Sequence, residues 1–322
     1  MELAPDFSFQ PLPPIPAEGE DQAVPGQGLT ARAVTAAAPN PLGVLAGLLG
    51  NWSGAGFNVI WRPDSNPASD HFLELNVTGD QIAFADVPGA IPNRGFLQGD
   101  ISMFGLSYLQ QVKDSNLNAG LHVEPGLWVT IPATTDPHLG PTVARLASIP
   151  HGTTIVAQGT ATTTAGPPSI PGIGIRPFTI DQPAQTTDFP EQTLATASQF
   201  RTAGAGLAGI TQEMVNDPNT VLTAAIAGQH IVSTTTLQVA TNDGPVPGGG
   251  TASTAFLQGT SGPHASGPNA DAALAVATFW LETLQGDTSP SQLQYSQTVF
   301  LHFNGLSWPH VTVGTLRKAA GS

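Results

Sequence analysis

The chain contains no cysteine, which removes disulfides, thiolate metal sites, a cysteine nucleophile and covalent c-type haem attachment. Basic residues are nearly as scarce. Nine lysines and arginines face 23 aspartates and glutamates, for a net charge of −14 over 322 residues. With no basic stripe, there is no footprint for a nucleic-acid backbone or for an anionic membrane surface. Charged residues reach only 10%, against roughly 25% in ordinary soluble domains. A hydrophobic share of 40% argues against disorder of the whole chain, because disordered chains are poor in apolar residues and usually charge-rich. No apolar run approaches the roughly 20 residues that cross a bilayer, and the opening MELAPDFSFQ lacks the basic and apolar regions of a secretion signal. These absences predict a soluble, cytoplasmic protein with neither nucleic acid nor membrane among its partners. Motifs are missing too. There is no G-x-S-x-G, no H-E-x-x-H and no EF-hand loop, and PGGGTAS lacks the Lys of a phosphate-binding loop.

What is abundant is glycine (36) and proline (30), the composition of many short strands joined by tight turns. Residues 1–40 read as a Pro-rich N-terminal arm. PLGVLAGLLG then makes a short helix or turn, and residues 41–165 form a first β half. Its strands include GAGFNVIWRP, which stops at Pro63, and HFLELNVTGDQIAFADV, which reads as a hairpin around Gly79-Asp80 with Leu73, Leu75 and Val77 on one face. Residues 166–228 hold a Pro-rich excursion and a helical insert near 205–227, interrupted at Pro218. Residues 229–320 supply a second β half that completes the barrel.

Two short words recur in the same order. FLQG stands at 96–99 and 256–259; SIPHGT at 148–153 is echoed by SWPHVT at 307–312. From Gln98 to His151 is 53 residues, and from Gln258 to His310 is 52. This near-equal spacing predicts an internal duplication. Two related half-sheets bury their apolar faces best by closing on each other, giving a mainly β fold with a closed barrel and an internal cavity.

Candidate chemistry gathers on a few residues. Along GLHVEPGLWVTI, alternation puts Leu121, Val123, Leu127, Val129 and Ile131 on one face and His122, Glu124, Trp128 and Thr130 on the other. His122 and Glu124 are then close enough to act as general base and orienter, unless this is merely a half-exposed polar face. Pro125 marks an edge or bulge. His151 and His310 each begin a strand after Pro, with Thr153 and Thr312 next on the same face. Either histidine suits a haem iron or a ligand hydrogen bond, or else a structural corner. Arg94, in a chain so poor in cations, pairs Asp100 or holds a ligand carboxylate or propionate; Arg62 carries the same two readings. His302 is a weaker candidate, and His71, His138, His230 and His264 read as solvated. Tyr108 and Trp128, with Trp61, Phe104, Phe279, Trp280 and Tyr295, are strand aromatics that belong to the core or line a cavity.

GNWSGAGFNVIWRP resembles the Gly-x-Trp-x-Gly opening of calycin-type barrels (lipocalins, fatty-acid-binding proteins and nitrobindin-like haem proteins), and more of residues 50–318 is similar to bacterial proteins labelled haem-binding or peroxidase-like. The resemblance implies a calycin-like barrel with Trp52 packed across its base, and a hydrophobic small molecule or haem inside it, with peroxidase-like activity. The alternative is a cofactor-free isomerase, lyase or cyclase acting on an apolar metabolite through His122 and Glu124. A purely structural or assembly module and a homo-oligomer are also consistent with the low charge.

Overall fold

The computed structural model describes residues 40–64, 66, 68–149, 152–241, 246, 248–253 and 270–320. Ten antiparallel strands close into a barrel: β1 (Gly50–Pro63), β2 (His71–Asp86), β3 (Ile101–Asp114), β4 (Ala119–Ile131), β5 (Thr142–Ile149), β6 (Thr153–Ala165), β7 (Ile231–Ala240), β8 (Asp271–Leu284), β9 (Gln292–Phe303) and β10 (Leu306–Lys318). Each strand pairs with its neighbours in chain order, and β10 returns to β1 through a register running from Trp52↔Lys318 to Ile60↔His310. Closure leaves the barrel without the long unpaired edges of an open sheet.

Period-two alternation gives every strand an inner and an outer face. On β1 the even positions Trp52, Asn58 and Ile60 face the interior, while Phe57, Val59 and Trp61 face outward. One end of the barrel is plugged from within. The 3-10 helix Gly43–Leu48 packs Leu45 and Leu48 into the inner core, and the Trp52 indole N–H donates to the Leu48 carbonyl at 2.6 Å. Trp52 is thus a buried structural residue.

The outer face is covered too. Residues 166–228 lie against β1, β2 and β10, where Ile175, Val215 and Leu222 pack on Phe57, Trp61, Leu73, Leu75, Val311 and Val313. This segment contains α1 (Gln212–Asn216) and α2 (Asn219–Ile226), with Pro218 at the N-cap of α2, as the sequence predicts. The molecule therefore has two apolar cores, one inside the barrel and one between barrel and wrap.

Three expectations need correction. Gly79-Asp80 is not a turn: β2 runs unbroken from His71 to Asp86, paired with β1 over fourteen consecutive positions, so tertiary pairing overrides local turn propensity. His310 does not begin a strand, because Pro309 lies inside β10 opposite Phe300. His71 is not solvated: it is buried beside Trp61, Phe189 and Trp308, with Nδ1 2.6 Å from Asp70. It lies on the outer face, where the wrapping segment covers it.

SIPHGT and SWPHVT also differ in setting. Ile149 ends β5 and Thr153 begins β6, whereas Ser307–Thr312 lies within one strand. His151, the second FLQG, His264 and the N-terminal arm to residue 39 lie outside the described residues.

Candidate functional site

Away from the plugged end, the barrel holds a cavity of about 390 Å³. Its apolar wall comes from Ile60, Val112, Leu121, Ile149, Val299 and Leu301; its polar lining includes Asn58, Gln110, His122, Tyr295, Gln297, His310 and Thr312. Mostly apolar walls with a few fixed polar groups are the usual build of a small-molecule pocket.

The polar groups are anchored by three buried networks. In the first, Glu124 on β4 is fully buried; its Oε1 accepts from the Tyr108 hydroxyl and from the Arg145 guanidinium of β5. His122 Nε2 lies 3.2 Å from Glu124 Oε2, and Arg145 Nε donates to Tyr108 at 2.9 Å. Burial alone would raise the Glu124 pKa. The Arg145 charge, helped by His122 and Tyr108, overcomes it and holds the carboxyl down at about 2. Glu124 therefore stays ionised and accepts only, so His122 presents Nε2–H to it. At Arg145 burial works against the charge, but the Glu124 carboxylate outweighs it and pushes the pKa up, so the guanidinium remains charged; at Tyr108 burial itself pushes the hydroxyl up.

In the second network, Asp80 of β2 accepts from the Tyr295 hydroxyl and from Gln110 Nε2. Burial dominates here, and the Asp80 pKa is pushed up to about 6; burial, reinforced by Asp80, drives Tyr295 well above its ordinary value.

The third network is a relay of amides. Asp114 accepts from Asn76 Nδ2 at 2.9 Å, Asn76 Oδ1 accepts from Asn58 Nδ2 at 3.0 Å, and Asn58 Oδ1 meets His310 Nε2 at 3.0 Å and the Thr312 hydroxyl at 2.8 Å. A carboxylate at one end orients both amides, so Asn58 offers only an acceptor and His310 carries its proton on Nε2.

The structure brings His122, Glu124, Tyr108, Trp128 and His310 to one barrel interior and places Arg94 away from it. Trp128 is buried deep in the inner core, edge-on to Phe279 at 5.2 Å, and is not part of the cavity wall. Arg94 is exposed between β2 and β3, where it pairs with Asp100. Arg62 reaches the cavity rim and pairs with Glu74 at 3.1 Å; His302 is not among the lining residues. The face shared by His122, Glu124, Trp128 and Thr130 is interior, not a half-exposed surface. Pairing of β4 with β5 stops at Gly126, one residue beyond Pro125, so Pro125 does mark an edge-like stretch.

Sequence reasoning missed Arg145, Gln297, Asp80 and the Asn58–Asn76–Asp114 relay. Arg145 did leave a signal. In TVARLASI it shares the period-two face of Val143, Ala147 and Ile149, where a cation needs a buried partner.

For an iron-bearing ligand, the two histidines that line the cavity offer little at Nε2, since Nε2 of His122 faces Glu124 and Nε2 of His310 faces Asn58. Ligation at that atom breaks the bond. Among the described residues, no cluster of three or more His, Asp or Glu side chains suits a metal ion, and no helix is long and apolar enough to cross a membrane.

No family model and no curated protein matches this chain. Among solved structures it is similar to one described as "Crystal Structure of Rv2717c from M. tuberculosis", at 14% identity and a TM-score of 0.39, over 87% of this chain and 97% of that one. A likeness this distant carries nothing about ligand or reaction.

Proposed function

We propose that this barrel binds a small, mainly apolar molecule in its interior cavity. The observation that supports the reading is the union of an apolar-walled space of about 390 Å³ with polar groups already oriented by buried ions. Orienting groups before binding lowers the cost of ordering them on association. An uncharged organic ligand fits these groups better than haem, because His122 and His310, the histidines lining the cavity, have Nε2 engaged.

N-phenyl-1-naphthylamine, an uncharged probe whose fluorescence rises in apolar surroundings, tests the reading. Wild-type protein should bind one equivalent, and Val299→Trp, which fills the cavity, should abolish the signal while the far-ultraviolet circular dichroism is retained. No binding to wild type, or equal binding to both proteins, removes the proposal.

A second reading rests on the His122–Glu124 bond: the bound molecule undergoes general acid–base chemistry at His122, with Glu124 as orienter. His122→Gln should then lower turnover by about 10²–10⁴-fold with probe affinity unchanged.

A further inference from the structure

Two glutamines in the cavity wall have their amide polarity fixed, in opposite senses, by buried ions. Arg145 NH1 contacts Gln297 Oε1 at 2.5 Å. A guanidinium has only donors, so the oxygen of Gln297 must face it and the NH₂ must point away. No described residue accepts from that NH₂, and Gln297 lines the cavity. Gln110 has the reverse arrangement. Its Nε2 donates to the Asp80 carboxylate at 3.2 Å and to the Tyr295 hydroxyl at 3.1 Å, so Oε1 is turned away from Asp80. The cavity thus presents an oriented donor at Gln297 and an oriented acceptor at Gln110.

The charges around the cavity add a constraint. Arg145 is matched by Glu124 and Arg62 by Glu74. Asp80 has hydrogen-bond donors around it and no salt-bridge partner among the described residues; the His122 imidazole, which acts on it through space, is bonded to Glu124. A ligand anion would enter a low-dielectric space that already holds an excess carboxylate, and the repulsion and desolvation both oppose it.

We infer that the ligand is an uncharged apolar molecule carrying an amide-type head, its carbonyl oxygen accepting from Gln297 and its N–H donating to Gln110. This rests on the cavity-binding proposal above and goes further by naming the ligand class and the two residues that read it.

Four probes of similar size separate the elements of the claim: diphenylmethane without a polar head, benzophenone with an acceptor, benzanilide with acceptor and donor, and diphenylacetate as the anion. Each is titrated calorimetrically into wild-type protein and into Gln297→Met, whose fold is checked by circular dichroism and melting temperature. Benzophenone should bind wild type about five- to tenfold tighter than diphenylmethane, the usual worth of one hydrogen bond. Benzanilide should bind tighter again and diphenylacetate weakest. In Gln297→Met the benzophenone advantage should vanish while diphenylmethane affinity is kept. Should Gln297→Met fail to fold, the ranking of the four probes on wild type still decides.

Equal affinities for the three neutral probes, or tightest binding of the anion, overturn the inference but leave cavity binding intact. Benzanilide no better than benzophenone removes the Gln110 half. An unchanged benzophenone advantage in Gln297→Met removes the Gln297 half. If no probe binds wild type, the cavity-binding proposal itself falls.

Discussion

Arg145 and Glu124 are both essentially inaccessible to solvent and in contact with each other. The desolvation of two such ions costs several kcal/mol each, and their mutual attraction offsets it only while both are present. Glu124→Gln leaves a guanidinium buried without its counter-ion; Arg145→Met leaves an unmatched carboxylate. Each should destabilise the protein by about 3–5 kcal/mol. The double variant should lose far less than the sum, because neither ion is then stranded. Urea unfolding of the four proteins measures this, and simple additivity would show that the pair is not a coupled unit. The same residues mark what could be read beforehand. His122 and Glu124 were legible because alternation along a strand is a local property. Arg145 sits on another strand, and the asparagine relay crosses three, β1, β2 and β3. Such side chains look like ordinary turn or surface residues until the register brings them together.

At the level of strands, the seam between β1 and β10 depends on glycine. A Cβ at Gly56 would lie 2.0 Å from the Val313 carbonyl oxygen, and one at Gly54 would lie 2.0 Å from that of Thr315. Both contacts are with backbone, which cannot swing aside, so these positions permit the close approach that shuts the barrel. Gly56→Ala should lower stability by about 1–3 kcal/mol. Gly120→Ala, where a Cβ meets nothing within 4 Å, should be near neutral. Equal urea midpoints for the two variants would refute the argument. Strand positions and the two short helices were legible from alternation and from Pro218, and so was the excursion. The role of that excursion was not: its apolar residues carry no mark of whether they face a barrel exterior or solvent. Gly79-Asp80 misled for a related reason, since a turn-like dipeptide remains extended when β1 pairs with it on one side and β3 on the other.

For the molecule as a whole, the buried carboxyls set opposing dependences on pH. Asp80, pushed up by burial to about 6, holds its proton more tightly folded than unfolded. Its contribution is therefore favourable at low pH and is lost as pH rises from about 4 through 6. The displacement from 3.8 to about 6 corresponds to roughly 3 kcal/mol. Glu282, raised to about 7 by burial, acts in the same direction over a slightly higher range. Glu124 has the opposite sign. Held at about 2 against an ordinary 4.5, it contributes stability that is complete above the ordinary value and lost as pH falls toward 2. Net charge sides with Asp80, because a chain at −14 repels itself less as its carboxylates are neutralised. Together these terms place maximum stability near pH 4, with the melting temperature falling toward pH 8 and toward pH 2. Asp80→Asn isolates the alkaline limb: the variant should melt above wild type at pH 8 and lose that advantage at pH 4. Differential scanning calorimetry at these pH values is decisive. A wild-type melting temperature that rises from pH 5 to 8, or an Asn advantage equal at both ends, would show that the buried carboxyl does not govern the profile.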